Sequence, residues 1–157
     1  MKPFALALVI ITVGCTALDA QEGSPASTPQ RDGAALADIM STTQFRHLKL
    51  GYAGQVANWP LAHYEMTLMR QSFDLAARSY PKVGNVPFAQ LVKIKSTPAL
   101  DDIGRAIAAR NRQGFALAFQ RLTEACNSCH QASGFGFVVM RVPTLSPFSN
   151  QVFPPRE

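Results

Sequence analysis

Phe115-Ala116-Leu117-Ala118-Phe119-Gln120-Arg121-Leu122-Thr123-Glu124-Ala125-Cys126-Asn127-Ser128-Cys129-His130 is the stretch from which the fold is read. Phe115, Phe119, Leu122, Cys126 and Cys129 advance by four and three positions in turn, the step of one face of an α-helix. Such a stripe is the seam of a helix that packs lengthwise on others. The cysteines continue the line of the phenylalanines, so whatever the thiols hold is expected inside the packed helices, not on their outer surface.

Two thiols three residues apart, followed at once by an imidazole, make a C-x-x-C-H pentapeptide over 126–130. The spacing puts both sulfurs on one helical face, where they can form thioethers to the two vinyl groups of one porphyrin, with the imidazole carried under the iron. The motif therefore points to one covalently attached haem c per chain, held by Cys126 and Cys129, with His130 as proximal iron ligand. Other chemistries use the same cysteine spacing. A closed zinc site needs two more thiolates or imidazoles at comparable spacing. Only Cys15, His47 and His63 remain, and Cys15 is expected to leave with a leader. A thioredoxin-like couple expects a βαβ context, of which the sequence shows no sign, and a plain disulfide leaves the adjacent histidine unexplained.

Two further seams repeat the four-and-three step. Leu36, Met40, Thr43, His47, Leu50 and Gly54 form one, and Ala62, Met66, Met69, Phe73, Ala76 and Tyr80 the next. Between them Asn58 is a helix cap and Pro60 a first-turn proline, so two long helices fold back antiparallel across a short connection. Residues 82–96 read ambiguously as turn, loop or helix. Thr97-Pro98 reads as the start of the next helix, with Asp101 and Asp102 near its positive end and Leu100, Ile103 and Ile107 as its stripe. After Gly134 and Gly136 the tail has four prolines and the apolar residues Val138, Val139, Leu145, Phe148 and Phe153. It is expected to lie extended across the bundle.

The predicted architecture is all-α: an antiparallel four-helix bundle over 33–132, carrying the haem near its last helix, with an extended tail over 133–157. Lys2, the apolar run 4–13 and Leu18-Asp19-Ala20 read as a signal peptide over 1–20, followed by a polar, disordered linker over 21–32. The apolar run is too short for a permanent membrane span, so export to the periplasm is expected and no integral span remains in the mature chain. Lipid anchoring at Cys15 is the lesser alternative. About 137 residues remain of the 157 once the leader is removed, one domain by size, and a hydrophobic fraction of 47 % against 16 % charged suits a packed core. The net charge of +5 is spread along the chain, with no basic stripe interleaved with aromatics, which argues against nucleic acid.

Four amphipathic helices with C-x-x-C-H near the end of the last one resemble the class II cytochromes c, the cytochrome c-prime family and its low-spin relatives, over roughly 36–132. Residues 58–65 and 146–151 also look like stretches of exported bacterial c-type cytochromes of unassigned role. The resemblance implies a haem enclosed by the bundle, redox partner proteins, and a homodimer paired through first helices as one oligomeric expectation. The chain departs from cytochrome c-prime in its long proline-containing tail and in placing His47 on the first seam.

The sixth iron position decides function, because a second strong ligand makes an electron carrier whereas an open position binds gases. His47 is the first candidate, aimed inward by its seam; a buried histidine satisfied by a hydrogen bond is the competing reading. Met40 is the lesser candidate, and Met140 is disfavoured by the short tail between it and His130. Arg46 and Arg141 are candidate partners for the haem propionates. Trp59 and Tyr64 are candidates to wall the pocket, although ordinary packing explains both. The expectation is a periplasmic electron-transfer protein and not an enzyme. A five-coordinate gas-binding protein is the rival, and a small peroxidase the weakest reading, since it needs an acid-base group standing off the iron.

Overall fold

The computed structural model describes residues 29–155, apart from 145 and 149, with side chains from Ala35 onward. The expected signal peptide, Cys15, Leu145 and most of the expected linker lie outside these residues. Six helical elements follow in order: α1 Pro29–Gln55, α2 Trp59–Ser79, α3 Phe88–Leu91, a π-helical segment Val92–Ser96, α4 Thr97–Ala108 and α5 Arg112–Ala132. No strand is present among the described residues beyond one isolated bridge between Val83 and Val86. No helix among them is long and apolar enough to cross a membrane. Helix α1 is described from Pro29 onward and so takes in the end of the stretch read as a linker.

The backbone stays right-handed helical through Leu91, Val92, Ser96 and Thr97, so α3, the π segment and α4 form one rod. Four rods result. α1 packs on α2, α2 on α4, α4 on α5 and α5 on α1, an arrangement compatible with a four-helix bundle. The seams are where the spacing predicts them: Leu50, Ala62, Met69, Ala76, Ile103 and Leu122 are all fully enclosed. Thr97 is not the cap its sequence suggested. It sits inside the rod with its hydroxyl donating to the Val92 carbonyl at 3.3 Å. Pro98 explains the widened turn before it, because its ring clashes with the carbonyl four residues earlier and it has no N–H to donate.

The α1–α2 and α4–α5 corners each turn through a non-glycine residue at positive φ, Ala57 (58°) and Arg110 (51°). After each corner an asparagine caps the next helix. Asn58 accepts from the Leu61 N–H at 3.2 Å, and Asn111 from the Gly114 N–H at 2.9 Å. Asn58 also donates to the Phe153 carbonyl at 2.8 Å, which ties the tail to the same corner. Phe153 is buried there, its ring edge-on to Tyr52 with centroids 5.3 Å apart.

Near this corner α1 and α5 approach closely. A Cβ at Gly54 would overlap the Phe115 ring, and one at Gly51 would come within 2.8 Å of both Phe119 and Pro143. The glycines let the two phenylalanine rings, stacked at 5.8 Å, lie against the α1 backbone.

Candidate functional site

At the opposite end the same two seams part around a cavity of about 310 Å³. Cys126, Cys129 and His130 of α5 line it, with Met40 and His47 of α1, Met69 and Phe73 of α2, and Phe88, Val92 and Ser96 of the third rod. Ser133, Phe135, Val138 and Met140 close one side from the segment after α5. The lining is overwhelmingly apolar, as a buried prosthetic group requires.

Cys126 and Cys129 are both buried and both free thiols. Burial, together with the charge of Cys129, pushes the Cys126 thiol up to about 12. Burial also raises Cys129, opposed by the nearby charge of Lys95 and by Ser96. Reactive redox cysteines need the reverse, a partly exposed site that lowers the thiol pKa, so the geometry argues against a thioredoxin-like couple. Among the described residues no three His, Cys, Asp or Glu side chains gather as metal ligands.

His130 is oriented from behind. Its Nδ1 lies 2.6 Å from the Val138 carbonyl oxygen, and a carbonyl only accepts, so Nδ1 carries the proton and Nε2 keeps its lone pair. A ligating histidine is held in this way, because the back-side bond fixes both tautomer and ring angle. The carbonyl is itself held in place. Asn127, inside the pentapeptide, donates to the Met140 carbonyl at 2.9 Å and accepts from the Met140 N–H at 2.7 Å. The tail is thereby clamped to the thiol-bearing turn, and Met140, disfavoured on tail length, is brought to the cavity wall.

His47 is buried, 2 % exposed, with Nε2 2.9 Å from Thr123 Oγ1. The Thr123 hydroxyl spends its only proton on the Phe119 carbonyl at 2.9 Å, so Nε2 must be the donor to it and Nδ1 the bare nitrogen. The ring also lies on Phe119 at 4.5 Å between centroids. Burial pulls its pKa down to about 4, so it is neutral at ordinary pH.

The remaining candidates fall elsewhere. Arg46 turns toward α2, where it pairs at 3.1 Å with Glu65, itself 2 % exposed. A buried carboxylate needs a cation more urgently than the cavity does, and Arg46 does not line the cavity. Arg141 is exposed and also off the wall. Trp59 packs edge-on to Phe115 at 6.2 Å at the glycine end, and Tyr64 is 56 % exposed; neither walls the pocket.

No family model, curated protein or solved structure matches the chain. The site is therefore judged by its own residues. One of them bears on whether a haem fits. The Ser133 hydroxyl is buried on the cavity wall with no hydrogen-bond partner, an arrangement a packed apolar core avoids and a bound polar-edged group relieves. Two free thiols, a histidine with its lone pair preset and an orphaned hydroxyl around one apolar cavity suit a haem c. A smaller groove of about 260 Å³ over Gly51 and Gly54 has no thiol, histidine or methionine in its wall. Sequence reasoning missed Thr123, Glu65, Phe88 and Val92; only Thr123, four residues after the Phe119 carbonyl on a helix, carried a readable signal.

Proposed function

We propose that the chain is a monohaem c-type cytochrome, exported to the periplasm, that carries electrons and does not transform a substrate. The observation that carries the reading is the His130–Val138 hydrogen bond beside two free thiols on one cavity wall. Cys126 and Cys129 would hold the porphyrin by thioethers and His130 would hold the iron. Bound there, the haem would supply one-electron Fe(III)/Fe(II) chemistry.

The chain's own residues do the rest. Val138 and the Asn127–Met140 clamp fix the His130 ring. Phe73, Phe88 and Val92 keep water off the enclosed faces. Thr123 sets the His47 tautomer, so His47 would ligate through Nδ1, or through Nε2 after giving up Thr123. Met40 and Met140 are the thioether candidates on the same wall, and the Ser133 hydroxyl is a donor available to a polar edge.

One observation favours the gas-binding reading: Nε2 of His47 is already committed to Thr123, and most of the remaining wall is apolar. Visible spectra of oxidised and reduced protein, with and without carbon monoxide, separate the two. Low-spin bands indifferent to carbon monoxide are expected for the carrier, whereas a high-spin spectrum that shifts sharply with carbon monoxide replaces it by the gas binder. His47→Ala should turn low-spin iron high-spin if His47 is the sixth ligand. An unchanged spectrum transfers that role to Met40 or Met140.

A further inference from the structure

Just beyond α5 the chain presents apolar side chains to solvent in a fixed pose. From Phe135 the segment runs without helix, and its side chains divide. Phe135, Val138 and Met140 line the cavity, while Phe137 and Val139 do not and stand 81 % and 74 % exposed. Phe137 lies in a turn closed by the Val138 N–H donating to the Phe135 carbonyl at 2.8 Å, and Val139 lies between the cavity-lining Val138 and Met140, where the alternation of extended chain turns it outward. The pose is held by the His130–Val138 bond, the Asn127–Met140 clamp and an edge-on contact of Phe137 with Phe135 at 6.1 Å. Rigid, outward-facing phenylalanine and valine side chains mark a contact surface more often than a loop tip left to solvent.

The charge around this segment is mostly positive. Residues 75–100 and 125–155 contain no Asp or Glu. They carry Arg78, Lys82, Lys93, Lys95 and Arg141, all exposed, and none of the five makes an ion pair among the described residues. Lys82, Lys93, Lys95 and Arg141 are each a sequence neighbour of a cavity-lining residue, Val83, Val92, Ser96 or Met140. Several acids are held by other partners: Asp101 by Arg70, Asp102 by Arg105 and Arg121, Glu65 by Arg46, and Glu124 by Gln120. Asp38 and Asp74, beside Ala37 and Phe73 of the cavity wall, are exposed and make no ion pair among the described residues.

We propose that loop 135–141, flanked by Lys93 and Lys95, is a docking surface for an anionic lipid bilayer. Stable attachment to a membrane surface takes two signals, apolar groups that enter the interface and cations that meet the headgroups, and both are present on one rim. Phe137 and Val139 project singly and form no groove. A protein partner would have to supply shaped pockets for them, whereas acyl chains need none. The surface does not depend on the haem reading, because its two inserting side chains face away from the cavity.

The test is co-sedimentation of the full purified chain with vesicles of mixed phosphatidylglycerol and phosphatidylcholine, against vesicles of phosphatidylcholine alone. Binding to the anionic vesicles only, suppressed by salt, is expected, with a loss of about tenfold or more in both Phe137→Ser/Val139→Ser and Lys93→Glu/Lys95→Glu. Helical circular dichroism should be unchanged, since all four side chains are exposed. Phe137→Trp should show a blue-shifted emission on the anionic vesicles. A chain that stays in the supernatant overturns the proposal and leaves the face to an acidic protein. Binding that survives Phe137→Ser/Val139→Ser, or a tryptophan at 137 that does not shift, also overturns it by reducing the contact to charge adsorption. A colourless chain that still binds would defeat the haem reading alone.

Discussion

The two ends of the α1–α5 contact are built from the same two seams and do opposite things. At one end Gly51 and Gly54 let Phe115 and Phe119 lie against the α1 backbone. At the other, two turns further along α5, the seam residues are thiols, the facing residues are Met40 and His47, and the helices stand apart around about 310 Å³. A helix pair with enough apolar surface to close along its whole length closes at one end only. The opening is therefore a property of the residues placed there, which are smaller, softer or hydrogen-bonded away.

The largest effect that would break this contrast comes from core truncation. Leu122→Ala, at a fully buried position between the ends, should cost about 2–5 kcal/mol by chemical denaturation, because it leaves a cavity in packed structure. Met40→Ala, on a wall that already faces open space, should cost about 1 kcal/mol or less in a chain without haem. Equal costs would mean that the two regions do not differ in packing.

Acid sharpens the contrast at the open end. His47 is held neutral by burial, with its pKa lowered from 6.5 to about 4, so the unfolded chain binds the extra proton first. Stability should be untouched above about pH 6.5, fall as pH drops through that window, and level off below about pH 4, by up to about 3 kcal/mol in all. The measurement is a denaturation series against pH on Cys126→Ala/Cys129→Ala, which cannot attach haem. His47→Gln in that background should flatten the slope.

Smaller changes probe the closed end. Gly54→Ala drives a Cβ into the Phe115 ring and should destabilise by about 1–3 kcal/mol, leaving any haem spectrum unaltered. Smallest of all, Ala57→Gly relieves a left-handed backbone at the α1–α2 corner and should raise stability by about 0.5–1 kcal/mol, read as an upward shift of the thermal midpoint.

The four-and-three spacing made the helical seams legible, since burial of one face follows from helix geometry whatever the partner. Cys126, Cys129 and His130 were legible for the same reason, being both a motif and part of a seam. Thr97-Pro98 misled, because a hydroxyl followed by proline looks alike at a helix start and after a π turn. The pairing of Arg46 with Glu65 and of His47 with Thr123 could not be read, since each depends on how one helix is rotated against another. Residues 82–96 gave too short and mixed a pattern to show that Phe88 and Val92 face the cavity.

The central claim is that the open end is shaped for a porphyrin bonded through two sulfurs. The direct measurement is the intact mass and visible spectrum of the purified chain, made with haem-attachment machinery present and unfolded before weighing. The account predicts a coloured chain heavier by one haem that denaturant does not remove, and no added mass in Cys126→Ala/Cys129→Ala. A colourless chain weighing only what its amino acids weigh would contradict it.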